Sequence, residues 1–317
     1  MPIVIKPLPA EMREEALSFI EPFESECVNL ASEILRGGEN CWRVVHVDGS
    51  SPTETLAGLF ALKKKRSLFF CLPFAKYKSA FDKKVCSEAQ RPLMEFFESR
   101  EPFCVNGEAA GAIFLRNILK NKKSPMRASV TNKYFLMVSD QARANSGIET
   151  CGQDSGEENQ EASQNKKAVH TQDAGGGLRV VQATAADYER LLPLELGYQR
   201  EEVVPKSFDI SDAALAAAFK HELCQGLTFA LYDGGRAIAK ARVSACGLRH
   251  CMLGGVYTIP SERKKGRASF LVRQIIARQS LAFNSFCLYA KQENAAALAL
   301  YKSLGFTPRC EYLLVYY

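Results

Sequence analysis

Residues 256–268 read VYTIPSERKKGRA, and residues 294–306 read NAAALALYKSLGF. The first stretch sets a strand-like run ending at Pro260 ahead of a basic turn, Arg263-Lys264-Lys265-Gly266-Arg267-Ala268, and an apolar helical pattern. Gly266 has no side chain to block an approaching anion. Backbone N–H groups at the start of the helix can therefore point at a pyrophosphate, with the positive end of the helix dipole behind them. Lys264, Lys265 and Arg267 add positive charge. In the second stretch Asn294 and Tyr301 stand seven residues apart, close to two turns of a helix, and so share one face. One can hold a ligand while the other works on it.

Outward from these stretches, the pattern predicts a first strand over 178–183 and an amphipathic helix over 185–192. Residues 195–204 continue as helix or loop before Pro205, and a second helix follows over 212–223 with Ser211 as a possible N-cap. Strands over 227–232 and 236–245 are joined by Asp233-Gly234-Gly235, a hairpin signal. The strand 251–258 contains Gly254-Gly255, where a bulge or a close ligand approach is expected. A helix over 266–283, a strand over 285–289, a helix over 294–304 and a strand over 311–316 complete the series β-α-α-β-β-β-α-β-α-β.

These residues resemble the GNAT superfamily of acyl-CoA-dependent N-acyltransferases. The family's cofactor motif, Gln/Arg-x-x-Gly-x-Gly/Ala after a V-x-V/T-x-P strand, is met by Arg263, Gly266 and Ala268 after Val256, Thr258 and Pro260. Its second motif is met at Asn294, Ala297, Leu300, Tyr301, Gly305 and Phe306. The resemblance covers residues 178–317. It implies an α/β (α+β) fold, a mixed and mostly antiparallel sheet flanked by helices. In such a fold the strands before and after the cofactor helix splay, so that a pantetheine arm lies between them like an added strand.

The resemblance also implies roles. Val256, Tyr257 and Thr258 would offer backbone groups to the pantetheine and the acyl carbonyl, and residues 263–268 would bind the pyrophosphate. Asn294 would hydrogen-bond the pantetheine arm. Tyr301 would protonate the departing CoA thiolate, since a phenol of pKa ~10 stays neutral at working pH yet can protonate a thiolate. Each position also has a plain reading: a buried strand, a basic helix start, an N-cap at Asn294, and a core aromatic beside Leu298 and Leu304 at Tyr301. The implied activity is acetyl transfer from acetyl-CoA to an amine by direct attack, the acceptor being a small molecule or a protein amino group. The alternative is a non-catalytic acyl-CoA-binding regulatory or interaction protein. The strand 251–258 carries no carboxylate to serve as general base. Glu201, Glu202, His221 and His250 remain as candidates, all of them residue types that also occur as solvated or structural groups.

Composition agrees with a soluble protein of two domains. The chain has 317 residues, 47% of them hydrophobic and 24% charged. No apolar run is long enough to span a bilayer, and the first thirty residues carry six glutamates, against a secretory signal. Eleven cysteines without a C-x-x-C pair imply neither a disulfide framework nor a zinc site, so no metal is expected and a cytoplasmic location is. The net charge of +6 is carried by residues 178–317, with 18 Lys+Arg against 12 Asp+Glu, which suits a cofactor bearing phosphates.

Residues 140–177, rich in Ser, Gln, Glu, Asn and Gly, read as a flexible linker. Residues 1–139 read as a second α/β domain. Helices are expected over 11–35, 83–98 and 108–120, and strands over 42–47, 67–73, 103–106 and 134–138. This region could be a degenerate second GNAT-like half, although it has no cofactor motif behind a suitable strand. Lys63-Lys64-Lys65-Arg66 reads as a solvated turn, and no interleaved aromatic residues support nucleic-acid binding.

Overall fold

The structure is a computed structural model that describes residues 2–47, 54–63, 67–76, 78–140, 173–174, 177–205 and 208–317. The two halves of the chain lay down the same series of elements. The first is β1 (Ile3–Pro7), α1 (Arg13–Ile20), α2 (Glu24–Leu35), β2 (Cys41–Val47), β3 (Glu54–Leu62), β4 (Ser67–Cys71), α3 (Ala80–Phe97), β5 (Cys104–Glu108), α4 (Ala109–Asn121) and β6 (Val130–Asp140). After the two-residue β7 (Asp173–Ala174) come β8 (Leu178–Gln182), α5 (Tyr188–Tyr198), α6 (Asp212–Leu223), β9 (Thr228–Asp233), β10 (Arg236–Cys246), β11 (His250–Thr258), α7 (Arg267–Gln279), β12 (Ser285–Lys291), α8 (Ala295–Ser303) and β13 (Thr307–Tyr316). Ser211 caps α6 as expected, its side chain accepting from the Ala214 N–H.

All these strands join one sheet in the order β1-β2-β3-β4-β5-β13-β6-β12-β11-β10-β9-β8-β7. The order is nearly a palindrome about β13 and β6, which pair antiparallel from Thr307 opposite Val138 to Tyr316 opposite Val130. Each half has given its last strand to the other. β13 pairs with β5, and β6 pairs with β12. The exchange covers strand edges that each half would otherwise present to solvent.

Alternating strand residues pack on opposite faces of the sheet. In β3, Phe60 joins the core under α3 and α4, while Leu59 and Ala61 join the core under α1 and α2. In β9, Leu231 faces the layer of α7 and α8, and Ala230 and Tyr232 face the layer of α5 and α6. Val28 of α2 packs with Leu136, Ala245, Met252, Cys287 and Tyr312, so α2 lies across the middle of the sheet and touches both halves.

Several expectations need correction. The sequence pattern does not predict strands β1 and β3, because β1 is five residues long and β3, ETLAGLFAL, lacks the polar–apolar alternation that marks a half-buried strand. α7 stops at Gln279 and not at 283. The Ser280 hydroxyl bonds back to the Ile276 carbonyl at 2.8 Å and competes with the ladder there. β13 starts at Thr307, four residues before the expected position. Apart from Asp140, residues 173–174 and Gly177, the proposed linker lies outside the described residues, as do Lys64, Lys65 and Arg66 of the basic run.

Candidate active site

β11 and β12 run parallel, but they pair only where His250, Cys251 and Met252 face Ser285, Phe286 and Cys287. Beyond Met252 they separate, and β11 is distorted in the gap. Lys240 pairs with Tyr257 and Arg242 with Gly254, so the one residue between them on β10, Ala241, stands opposite two on β11, and a bulge forms at Gly255-Val256. Gly255 takes φ +59°, a conformation available to glycine at little cost. The expected glycine irregularity is therefore present, and it sits at the mouth of the splay.

The basic turn follows. Lys264 has φ +62° and Gly266 φ +73°; Gly266 stands at the N-cap of α7 and, having no side chain, offers no cap to the helix. A Cβ at Gly266 would meet nothing within 4 Å, so the space over the turn is open to a ligand while φ alone favours glycine. The first-turn N–H groups of α7 have no side-chain acceptor from the cap, the arrangement that binds an anion. The basic side chains are held by acidic neighbours: Lys265 by Glu262 at 2.8 Å, Arg267 by Glu262 at 3.1 Å and Asp233 at 3.6 Å, and Arg263 by Glu201 at 2.7 Å.

A cavity of about 510 Å³ runs over this turn, along Val256-Tyr257-Thr258 and α8, and is lined also by Arg263, Lys264, Gly266, Arg267, Ala268, Asn294 and Tyr301. The structure thus brings together every residue proposed for the cofactor except Lys265, whose side chain turns to Glu262. Both readings of Asn294 draw on its amide. Its oxygen caps α8 by accepting from the Ala297 N–H at 3.0 Å, while its Nδ2 donates to Glu202 at 3.3 Å.

A second cavity, of about 350 Å³, opens on the other side of the splay. Its walls come from both halves of the chain. Asn29 of α2, Phe69 of β4, Asn106 of β5 and Tyr134 of β6 face Tyr198, Arg242, Tyr289, Lys291 and Tyr316. Glu202, Val256, Asn294, Ala297 and Tyr301 line both cavities, so the two meet there.

Tyr301 is 7% exposed and packs edge-on to Phe306 at 6.0 Å, so its core role is real. Burial, helped by nearby Tyr198 and Glu202, pushes its hydroxyl well above the ordinary phenol value, and it stays protonated. Glu201 and Glu202 sit on a π-helical turn, Gln199–Val203, that extends α5. The wider turn directs the two carboxylates differently. Burial works against the charge on Glu201, but hydrogen bonds from Tyr257 at 2.7 Å and from Arg263 outweigh it and hold its pKa below the usual range. Glu202 accepts from Asn294 and lies 3.5 Å from Lys291 at the junction. His221 is exposed on α6, and His250 bonds Glu24 at 2.9 Å at the far end of β11, so neither reaches the junction. Among the described residues no group of His, Cys, Asp and Glu is placed to hold a metal, and no helix is long and apolar enough to cross a membrane.

Residues 189–306 match the acetyltransferase (GNAT) family. That stretch is a GNAT domain. Solved structures extend the likeness in fold to the whole chain. A Drosophila protein is 12% identical with a TM-score of 0.60, the match covering 99% of this chain and 98% of that one. A tandem GNAT protein from the clavulanic acid biosynthesis pathway, also 12% identical, gives a TM-score of 0.52 over 99% of this chain and 97% of its own. A GNAT-family protein from Novosphingobium aromaticivorans is 18% identical with a TM-score of 0.38, and the match spans 60% of this chain and 65% of that one, under two thirds of its length. A comparison with curated proteins gives no match. The fold is a mixed, mostly antiparallel α/β sheet flanked by helices, in a tandem GNAT arrangement.

Sequence reasoning missed the wall supplied by the amino-terminal half, since Asn29, Phe69, Asn106 and Tyr134 belong to four separate elements with no common motif. Arg242 and Ser244 left a faint signal, since with Lys240 they place a polar residue at every second position along part of β10.

Proposed function

We propose that this protein is an acetyl-CoA-dependent N-acetyltransferase that acts on a small amine by direct attack. The observation that carries the reading is the meeting of the two cavities at Glu202, Val256, Asn294, Ala297 and Tyr301. The first has an anion cradle at one end and a splayed strand along its side, matching the shape of a nucleotide joined to a pantetheine arm. The second is of a size for a small molecule, with a carboxylate at its inner end.

In this reading Arg263, Lys264, Gly266, Arg267, Ala268 and the first-turn N–H groups of α7 hold the pyrophosphate. Lys265 adds to the field from the rim. Val256, Tyr257 and Thr258 hold the pantetheine through their backbone, and Asn294 adds its amide. Glu202 takes a proton from the acceptor's ammonium, directly or through a water. The freed amine attacks the thioester carbonyl, forming the C–N bond as a tetrahedral intermediate with charge on oxygen. As the carbonyl re-forms and the C–S bond breaks, the Tyr301 hydroxyl gives its proton to the leaving sulfur; the nitrogen and Glu202 each release a proton to solvent, and one of these restores the Tyr301 hydroxyl.

The test begins with calorimetric titration of acetyl-CoA into the full chain, followed by release of CoA thiol with a panel of amines. Gly266→Asp places a carboxylate where the pyrophosphate lies. It is expected to weaken acetyl-CoA by roughly 100-fold, about 2.7 kcal/mol, while the chain still folds, its melting temperature lowered only by the strain of a side chain at φ +73°. Equal affinity in the variant would remove the cradle. Binding without thiol release across the panel would favour the non-catalytic acyl-CoA-binding protein.

A further inference from the structure

Lys240 of β10 and Glu195 of α5 are 1% and 3% exposed, with Nζ 2.5 Å from Oε2. Removing both charges from water is costly, and apolar side chains of similar volume often serve a core as well or better. Stability is therefore a poor explanation for this pair, and its neighbours suggest another. Lys240 Nζ donates to the Gly255 carbonyl at 3.3 Å and sits 4.5 Å from the centre of the Tyr198 ring. Burial lowers the Lys240 pKa, and Glu195 opposes that loss of charge. The other oxygen of Glu195 accepts from Gln199 Nε2 at 2.6 Å, and Gln199 opens the π turn that carries Glu202. One carboxylate thus ties the β11 bulge to the turn bearing the proposed base.

The bulge gives the Lys240 contact its meaning. A Cβ on Gly255 would lie 3.4 Å from Lys240 Nζ, so the glycine backbone rests against the ammonium. No peptide bond among the described residues is cis, and in a planar trans peptide a carbonyl turned toward Lys240 sends the next N–H the opposite way. That N–H belongs to Val256, which lines both cavities and lies in the bulge, where the regular pairing with β10 is interrupted.

We propose that the Lys240–Glu195 pair is a positioning device: by holding the Gly255 carbonyl, it aims the Val256 N–H at the thioester carbonyl oxygen as an oxyanion donor. The inference rests on the acetyl-CoA reading above. The experiment is infrared difference spectroscopy of acetyl-CoA carrying ¹³C at the acetyl carbonyl, bound to the full chain. The parent and the double variant Lys240→Met/Glu195→Leu are compared. The carbonyl stretch is expected to fall on binding to the parent and to return to its free position in the double variant, with acetyl-CoA affinity changed by no more than about threefold. Turnover with an accepted amine is expected to drop ~10²–10³-fold. The double variant should also melt above Lys240→Met alone, which leaves Glu195 buried without its partner.

A double variant that keeps the parental band shift overturns the proposal. A second measurement needs no variant: the Val256 amide resonance of the parent should move further with acetyl-CoA than with CoA, because both ligands bring the pantetheine arm and only the first brings the acetyl carbonyl, and an equal response to both overturns it as well. A parent that fails to bind acetyl-CoA overturns the functional reading and this inference with it, whereas a parent that binds without a band shift overturns this inference alone.

Discussion

The two halves of the chain share one order of elements, yet the same position in each has opposite contents. In the carboxy-terminal half the parallel pairing of β11 with β12 ends at Cys287, and the chain continues to Asn294, seven positions on, before α8 begins. In the amino-terminal half the pairing of β4 with β5 ends at Asn106, and the α4 cap, Glu108, comes two positions later. The long splay leaves room for an extended arm. The short one is filled by Phe70, whose ring lies so close to Gly107 and Gly111 that a Cβ on either would approach it to 2.1 Å and 2.3 Å. Only about 10 Å³ remains among Phe23, Cys27, Phe70, Lys76 and Glu108, at most the room of one water. Counting seven positions from each cap gives Tyr301 in α8 and the buried Leu115 in α4. One half keeps an opening and a hydroxyl; the other keeps a ring and an aliphatic side chain. The amino-terminal half instead supplies part of the wall of the second cavity.

The largest expected effect is at Tyr301. Tyr301→Phe makes this position as inert as Leu115 while keeping the ring beside Phe306. If the hydroxyl protonates the thiolate, turnover falls by roughly 10²–10⁴-fold, with acetyl-CoA affinity and Tm close to those of the parent. Steady-state kinetics beside thermal melts decide it. Unchanged turnover would take Tyr301 out of the mechanism, leave protonation to water, and erase the chemical half of the contrast.

Phe70 tests the other side. Phe70→Ala should destabilise the chain by ~3–5 kcal/mol, as truncation of a buried aromatic does, without producing a second acetyl-CoA site. The opened space would still lack a glycine at an uncapped basic helix start, since α3 begins with Ser79 and Asp82 capping each other. Denaturant melts measure the first effect, and calorimetric stoichiometry measures the second. The parent and the variant should each bind one acetyl-CoA per chain. Two bound molecules in the variant would mean that Phe70 alone separates the halves.

The contrast was only partly legible beforehand. The carboxy-terminal elements could be placed because a glycine turn, a basic cradle and an Asn-to-Tyr helix recur at fixed spacing, and each does local work on the backbone beside it. The amino-terminal plug has no such signature. Phe70 is one aromatic residue in a buried strand, and its meaning depends on glycines some forty residues away. The strand exchange was illegible for a similar reason: β6 and β13 both read as ordinary strands, and nothing within either one specifies which half will pair with it. Glu202 was visible as one of an acidic pair, but the π turn that separates it from Glu201 was not. Lys240 and Glu195 stood in the sequence as two unremarked charges, because a buried pair is a property of two elements brought together.

The smallest effect concerns the contact by which the halves hold each other. Glu24, on α2 of the amino-terminal half, is 1% exposed and accepts from the backbone N–H groups of Leu248 and Arg249, the latter at 3.1 Å, and from His250 Nδ1 at 2.9 Å. It fills the turn between β10 and β11 so closely that a Cβ on Gly247 would strike its carboxylate. Burial pushes the Glu24 pKa up, but the hydrogen bonds from His250, Arg249 and Leu248 outweigh burial and hold it below the ordinary 4.5. A carboxyl depressed on folding contributes stability that is fully present above its unfolded pKa and is lost as pH falls through its folded one. Glu24→Gln removes the charge and sets an amide among donors, so it should cost ~1–3 kcal/mol at neutral pH. The difference in Tm between parent and variant should hold down to about pH 4.5 and narrow below it, as the parental carboxylate takes up its proton. A difference that stays constant through that range would mean that shape, and not charge, carries the contact. Turnover at neutral pH should change little, because Glu24 lies at the end of β11 away from the junction where the two cavities meet.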